Sequence, residues 1–340
     1  MQQYFDQTLF EIYMVSCRFC GLTCSNVTRD SLEFDFDEFN TGFWCNACEG
    51  FNYLDSAADK HRFILILEDK TKENYIKKAG IKLNKRLSPF RYPGGKSKLI
   101  DYLYYQLNKR KTHKLVSAYS GGASFELAML DAGVINQLHL NDIDMGIYSF
   151  WWVIKHMPFA LINRLRENLP THKEFYRCQK IIKQNYIGVD MVEAAWAVLV
   201  VNRLAYSGIY NANPLGGKNG PKEKLLSRWN PNELVKRIEH IHGLSDRIEV
   251  TQLNALELIE EEYWLNESTL FLDPPYVKAG KELYNCYYTE NDHWELNSLL
   301  EMLHMCFAGS DIILTYDYNK MIDSMYNYPD IKHIGRTYSI

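Results

Sequence analysis

The sequence has no apolar run long enough to cross a membrane: the longest candidate, Ala194 to Val201, falls well short of the ~18 residues a spanning helix needs. Met1 to Phe10 carries neither the basic cluster nor the following apolar stretch of a secretory leader, so the chain is expected to stay in the cytoplasm. Nor is there a compositional bias. With 46% hydrophobic and 24% charged residues, the chain is neither disordered, nor collagen-like, nor a disulfide scaffold. A nucleotide-hydrolysing P-loop is missing as well: Gly95-Lys96-Ser97 resembles its end, but Phe90 stands where the motif requires its first glycine.

What is present is enough material for two domains, since 340 residues exceed the roughly 150 of a typical one. The net charge of −4 conceals two regions of opposite sign. Residues 1–60 hold ten carboxylates against Arg18, Arg29 and Lys60, or −7; residues 70–114 hold fourteen Lys or Arg against Glu73 and Asp101, or +12. The basic run suits phosphate contacts and equally a solvated helix face. The 24 Tyr, 16 Phe and 7 Trp suit stacking surfaces as well as a filled core.

Eight cysteines in a reducing compartment are not expected to form disulfides, and four of them form two CxxC pairs, Cys17/Cys20 and Cys45/Cys48. Each pair sits in a short turn ending in glycine, with strand-like sequence between, which is the signature of a zinc ribbon. Two such turns complete a closed four-sulfur site with Zn–S distances of ~2.3 Å. The zinc is structural in this reading, because so small a segment folds on metal-binding energy. Cys24 is a spare thiol. A redox CxxC is disfavoured because that motif occurs once and opens a helix. The acidic residues around the turns argue against phosphate binding and favour a protein partner or a structural cap. Cys178, Cys286 and Cys306 read as small core residues.

From Arg62 the pattern changes. Phe63 to Leu67 is an apolar strand, and Tyr92-Pro93-Gly94-Gly95-Lys96 is a turn feeding an apolar-periodic helix, Leu99 to Leu107, whose free N–H groups suit an anion. Lys114 to Ser120 reads as a strand, Gly121-Gly122-Ala123 as a close-approach loop and Ser124 to Leu130 as a helix. A second strand, Gln137 to Asn141, ends at Asp142, roughly 20 residues after the glycines, the spacing at which a carboxylate takes both hydroxyls of a ribose. The pattern points to an adenosine-like cofactor on an alpha/beta sheet.

Asp273-Pro274-Pro275-Tyr276 follows the buried-strand run Thr269 to Leu272. Two prolines at a strand end give a stiff turn without spare donors, so the Pro274 carbonyl and the Asp273 carboxylate become two fixed acceptors. An exocyclic amino group bonded to both loses conjugation with its ring and exposes a lone pair, while Tyr276 offers a stacking face.

With these motifs in this order, residues 87–335 resemble the Dam-type DNA adenine methyltransferases, which transfer a methyl group from S-adenosylmethionine to the N6 amino nitrogen of adenine. The resemblance implies a Rossmann-like sheet; the insertion at about residues 157–245 is mainly helical by its spacing, and the pattern change divides the chain into a zinc ribbon at 1–60 and a methyltransferase domain at 61–340. The resemblance also implies cofactor contacts from Tyr92, Pro93, Gly94, Gly95, Lys96, Tyr119, Gly121, Asp142, Asn254 and Asp273. Catalysis falls to Asp273, Pro274, Pro275 and Tyr276, acting on an adenine turned out of double-stranded DNA. The family uses such an insertion to recognise DNA; here it carries Arg203, Lys218, Lys222, Lys224 and Arg228 among glycines and aromatics, with Trp229 read as packed. His293 is expected at a helix start, not in the chemistry. Restriction–modification and phage defence are the settings such enzymes suggest.

The sequence departs from the family at three places. Ser117 stands where the family has an acid before the glycine loop, Ala123 replaces the loop's last glycine, and Ile331 to Ile340 begins what reads as a terminal hairpin without its final strand. Two other readings therefore stay open: methylation of adenine in structured RNA, and a methyltransferase fold turned binding module.

Overall fold

The computed structural model describes residues 12–16, 23–28, 33–35, 40–44, 47, 51–53, 61–69, 72, 76–91, 96–109, 111–265, 267–277, 286–307 and 309–335. The chain forms two compact units, Met1–His61 with Ser298–Gly309, and Arg62–Asn297 with Ser310–Ile340.

In the first unit, β1 (Ile12–Ser16) pairs antiparallel with β2 (Thr23–Thr28). A separate antiparallel sheet holds β3 (Glu33–Asp35), β4 (Asn40–Trp44) and β5 (Phe51–Tyr53). Cys17, Cys20, Cys45 and Cys48 lie outside the described residues; in sequence they fall between β1 and β2 and between β4 and β5.

The second unit is built on a seven-stranded sheet of β6 (Phe63–Asp69), β7 (Lys114–Ser117), β8 (Gln137–Asn141), β9 (Ile248–Thr251), β10 (Ser268–Leu272), β11 (Asp311–Asp317) and β12 (Asp330–Gly335). Its order is β12-β6-β11-β10-β7-β8-β9 and every pairing is parallel. Parallel strands must be covered on both faces, and the central ones show it: β6 and β10 are buried at every residue, which is why they read as continuous apolar runs without alternation.

Helices α1 (Ile100–Gln106), α2 (Ser124–Asp131), α3 (Met145–His156), α9 (Ala255–Glu262), α10 (Glu290–Cys306) and α11 (Lys320–Met325) accompany the strands. The expected helical insertion consists of α4 (Pro158–Glu167), α5 (His172–Lys183), α6 (Met191–Leu204), α7 (Lys222–Leu225) and α8 (Pro231–His242). Its boundaries are written locally. Thr171, Asp190 and Asn230 each accept a backbone N–H at a helix start, and Pro158 and Pro231 open α4 and α8. Helix α6 is apolar nearly all round and buried, packing among α3, α4 and α5. Trp229 is buried against Trp196 of α6, edge to face at 5.7 Å.

The segment after Gly335, where a hairpin following β12 would turn, lies outside the described residues. The place between β11 and β12 is filled by β6, which runs parallel to both and comes from the other end of the sequence. Spacing along the C-terminal segment could not reveal this, because the partner lies more than 200 residues away in sequence.

Beneath β7, β8 and β9, His139, Glu249 and Glu262 are the one group among the described residues with metal-ligand geometry. Lys114 Nζ already lies 2.7 Å from Glu262 and 3.6 Å from Glu249, and both ring nitrogens of His139 are bonded, to Glu262 and to Thr251. It is an ion network that staples three strands to α9.

Candidate active site

The site lies at the carboxyl ends of β7, β8, β9 and β10, where an open parallel sheet leaves a crevice. A cavity of 380 Å³ opens there, within the range of small-molecule sites. Its walls include the glycine loop after β7, Asp142 and Asp144 after β8, Asn254 before α9, and Asp273 and Pro275 after β10. The insertion supplies Asn202, Gly208 and Tyr210, and Cys286, Tyr287 and Tyr288 close another side.

The glycine loop keeps its shape despite Ala123. That residue adopts φ 46°, a left-handed backbone that favours glycine, and its N–H bonds Ser120 at 2.7 Å. Gly121, at φ 43°, donates its N–H to Asp142 Oδ2 at 2.8 Å and accepts from Trp151 Nε1 at 3.0 Å. Asp142 Oδ1 accepts the Asp144 N–H at 3.0 Å, so the carboxylate is aimed by two backbone donors. Burial, followed by repulsion from Asp144, pushes its carboxyl up to about 7.

Ser117 is not an empty replacement. Its hydroxyl donates to Glu126 Oε1 at 2.8 Å, and Glu126, on α2, lines the cavity. Burial drives the Glu126 carboxyl up to about 7. An acid is therefore present next to position 117 in space although it lies nine residues later in sequence.

Asp273 stands at the end of β10. Its Oδ1 lies 2.7 Å from Lys96 Nζ and accepts the Thr315 hydroxyl at 2.9 Å. Lys96 Nζ also lies 2.7 Å from Glu68, at the end of β6, and 5.4 Å from the Tyr276 ring centroid. Burial raises the Asp273 carboxyl and the Lys96 ammonium opposes that rise. Tyr276 itself is buried, so the open stacking face expected from the sequence is not presented in this arrangement.

Four carboxyl groups on the cavity wall, Glu126, Asp142, Asp144 and Asp273, face the single ammonium of Lys96 among the described residues. The donor set therefore fits a ligand with more than one cationic centre. S-adenosylmethionine, with a sulfonium, an ammonium and a carboxylate on a nucleoside, has two such centres.

Tyr92, Pro93, Gly94 and Gly95 lie outside the described residues. Their flank is anchored: Asn202 accepts the Arg91 N–H at 2.8 Å and donates to the Arg91 carbonyl at 3.0 Å. Gly208, at φ 74°, passes so close that an added Cβ would meet the Arg91 carbonyl at 2.3 Å. Tyr119 bonds Tyr288 across the cavity, hydroxyl to hydroxyl, at 2.7 Å. Asn254 borders the cavity while its side-chain oxygen caps α9.

Lys218, Lys222, Lys224 and Arg228 are exposed on the insertion. Arg203 is different. Its guanidinium donates to the Arg228 carbonyl at 2.7 Å and the Pro89 carbonyl at 3.4 Å, a clamp holding the insertion to the turn segment instead of a charge offered to phosphate. His293 sits in the first turn of α10 behind a capping box of Thr289 and Asp292, and its ring bonds Tyr316 at 2.8 Å. Burial takes its imidazole down to about 4, so it is neutral and structural.

The family model described as D12 class N6 adenine-specific DNA methyltransferase matches residues 92–340. The chain belongs to this family. As a D12-class protein it is an S-adenosylmethionine-dependent DNA adenine-N6 methyltransferase. It is also similar to the Type II methyltransferase M.MjaIII of Methanocaldococcus jannaschii, with 22% identity over 255 residues that cover 68% of this chain and 85% of the relative. Among the described residues of this D12-class chain, no helix is long and apolar enough to cross a membrane.

Glu68, Glu126, Asn202, Tyr210 and Thr315 are site residues that the sequence did not single out by role. Glu68 had a signal, an acid directly after the apolar run Phe63 to Leu67, and so had Glu126, an acid within the apolar run Phe125 to Leu130.

Proposed function

We propose that the cavity binds S-adenosylmethionine against the glycine loop, and that Asp273 with the Pro274 carbonyl presents an extruded adenine amino group to it. The observation that carries this reading is the position of Asp273 on the cavity wall, fixed between Lys96 and Thr315. Asp142 takes the ribose hydroxyls, Gly121 lets the ligand approach the backbone, and Tyr119 and Asn254 border the nucleoside. Lys96 and the preceding Tyr92-Pro93-Gly94-Gly95 turn hold the cofactor's other end, a reading that rests on the family resemblance.

When bound, the cofactor supplies an electrophilic methyl group on a positively charged sulfur. The chain's part is positioning and electrostatics. Asp273 would accept a hydrogen bond from the adenine amino group and the Pro274 carbonyl the second, freeing the nitrogen lone pair for in-line attack; the methyl–sulfur bond would break with its electrons going to the departing S-adenosylhomocysteine, and one amino proton would pass to solvent. Pro275 stiffens the turn. Tyr276 stacks on the base once its face opens, and extrusion of the base costs a few kcal/mol. Transfer of labelled methyl to mixed-sequence duplex DNA, read by nucleoside mass spectrometry, tests the assignment: N6-methyladenine is the expected product, and methyl elsewhere than adenine N6 contradicts it.

Lys218, Lys222, Lys224 and Arg228 bind DNA phosphates in this reading. Changing the three lysines to glutamate weakens duplex binding and lowers the slope of log affinity against log salt by roughly 0.9 for each phosphate that is no longer neutralised. S-adenosylmethionine affinity stays unchanged, and a salt slope equal to the wild type removes these residues from the interface.

Cys17, Cys20, Cys45 and Cys48 hold a structural zinc in the same proposal, supported by the position of each CxxC between two antiparallel strands. The acidic ribbon then offers a docking surface for a protein partner. Elemental analysis is expected to find stoichiometric zinc, reduced in Cys17→Ser. Chelation is expected to melt this unit, since structural zinc contributes about 10–16 kcal/mol to such folds.

A further inference from the structure

Glu68 follows five apolar residues in β6 and precedes the strand's last residue, Asp69; it shares the face of Ile64 and Ile66, which pack into the core with Leu99, Ile100 and Leu103. Its side chain is 0% exposed, and a carboxylate is not placed there without a partner. The partner is Lys96, 3% exposed, which bridges at 2.7 Å to Glu68 and at 2.7 Å to Asp273. Strand β6 lies outside residues 92–340, the part that matches the family, yet it occupies an interior place in the sheet, next to β11.

We propose that Glu68 is a positioning residue for methyl transfer: it anchors the Lys96 ammonium so that Lys96 and Thr315 together hold the Asp273 carboxylate in its reactive orientation. The inference rests on the reading of Asp273 given above. A lysine stem has four flexible carbons, so a single carboxylate partner leaves the ammonium free to follow it. A second buried carboxylate on another strand removes that freedom. Three neighbouring strands then act together, with Glu68 from β6, Thr315 from β11 and Asp273 from β10.

The charged and titratable groups around Asp273 are Lys96 before α1, Glu68 on β6, Tyr316 on β11, Glu126 on α2 and Tyr276 beyond the prolines. Glu68 raises the Asp273 carboxyl while Lys96 lowers it. Removing the Glu68 charge therefore moves the acid limb of kcat/KM to lower pH, a shift that a purely structural carboxylate does not produce.

The test compares full-length wild type, Glu68→Gln, Glu68→Asp and Asp273→Ala for methylation of duplex DNA, thermal unfolding and S-adenosylhomocysteine binding. Glu68→Gln is expected to lower kcat by about 10- to 100-fold, the effect of a misplaced reacting group, with KM for DNA near wild type and S-adenosylhomocysteine affinity lowered by a smaller factor, since Lys96 also borders the cofactor. Its acid limb moves to lower pH. Glu68→Asp keeps the charge but withdraws it by one carbon, so it loses kcat while its acid limb stays; this variant decides the matter if Glu68→Gln does not fold. Wild-type kcat in both Glu68 variants beside an inactive Asp273→Ala overturns the Glu68 inference alone. So does a loss of kcat that follows only the melting temperature, with an unmoved acid limb. An Asp273→Ala protein as active as the wild type overturns the reading of Asp273, and the role of Glu68 with it.

Discussion

Replacing Asp273 with alanine is expected to lower methyl transfer by about 10²- to 10³-fold, the usual cost of deleting one preorganised group that acts at the reacting atom. The protein remains folded. Lys96, buried beside Asp273, keeps its 2.7 Å contact with Glu68, so the substitution does not strand an uncompensated ammonium. Asp273→Asn is nearly as inactive, because an amide keeps one acceptor but loses the charge that faces Lys96. Cofactor affinity changes much less than kcat in both variants. Single-turnover methylation combined with calorimetric titration of S-adenosylhomocysteine separates the two quantities, and equal losses in both assign Asp273 to cofactor binding instead of catalysis.

Affinity for S-adenosylmethionine is expected to rise with pH up to neutrality. Glu126 and Asp142 are pushed by burial from 4.5 and 3.8 to about 7, so in the free protein below that value both carry a proton. A cationic ligand favours the ionised forms. Each group therefore contributes up to about tenfold in affinity per pH unit below its raised value, since one unit corresponds to 1.36 kcal/mol. The sign for folding is opposite. Between about pH 4 and 7 the unfolded chain has released both protons while the folded chain retains them, so stability of the free protein falls as pH rises through that window. Thermal melts from pH 5 to 8 should show the free protein losing stability while the shift produced by S-adenosylmethionine grows. Glu126→Gln, which cannot ionise, flattens its part of both trends, and identical pH profiles in wild type and variant remove Glu126 from ligand binding.

How much was legible beforehand differs between elements for reasons that can be named. Strand β8 and the buried run of β10 were readable to within a residue, because short apolar runs bounded by polar residues admit few other structures. The insertion was readable as mainly helical from its spacing; the caps at Thr171, Asp190 and Asn230 were seen only in the structure. The tetrapeptide at Asp273 was readable because a strand end, two prolines and two acceptors are contiguous. Arg203 misled, since a basic residue beside a glycine-rich basic loop looks the same in sequence whether its guanidinium turns out to solvent or in to the carbonyls of Pro89 and Arg228. For Tyr276 the sequence offered a stacking ring; that the ring is buried beside Lys96 is a property of packing.

By itself the sequence determined the chemistry available: a strand-glycine-helix unit, an acid after the second strand, and a rigid pair of acceptors after a buried strand. These are local features, carried by residues adjacent in the chain, and local sterics and hydrogen bonding suffice to specify them. Only the tertiary structure decided which distant residues complete them. It closed the sheet with β6, brought Glu126 to Ser117 and joined Glu68 to Lys96 and Asp273. The physical reason is that a parallel sheet makes neighbours of strands separated by long crossovers, so charge pairs at its carboxyl edge are set by strand order, which no local pattern records.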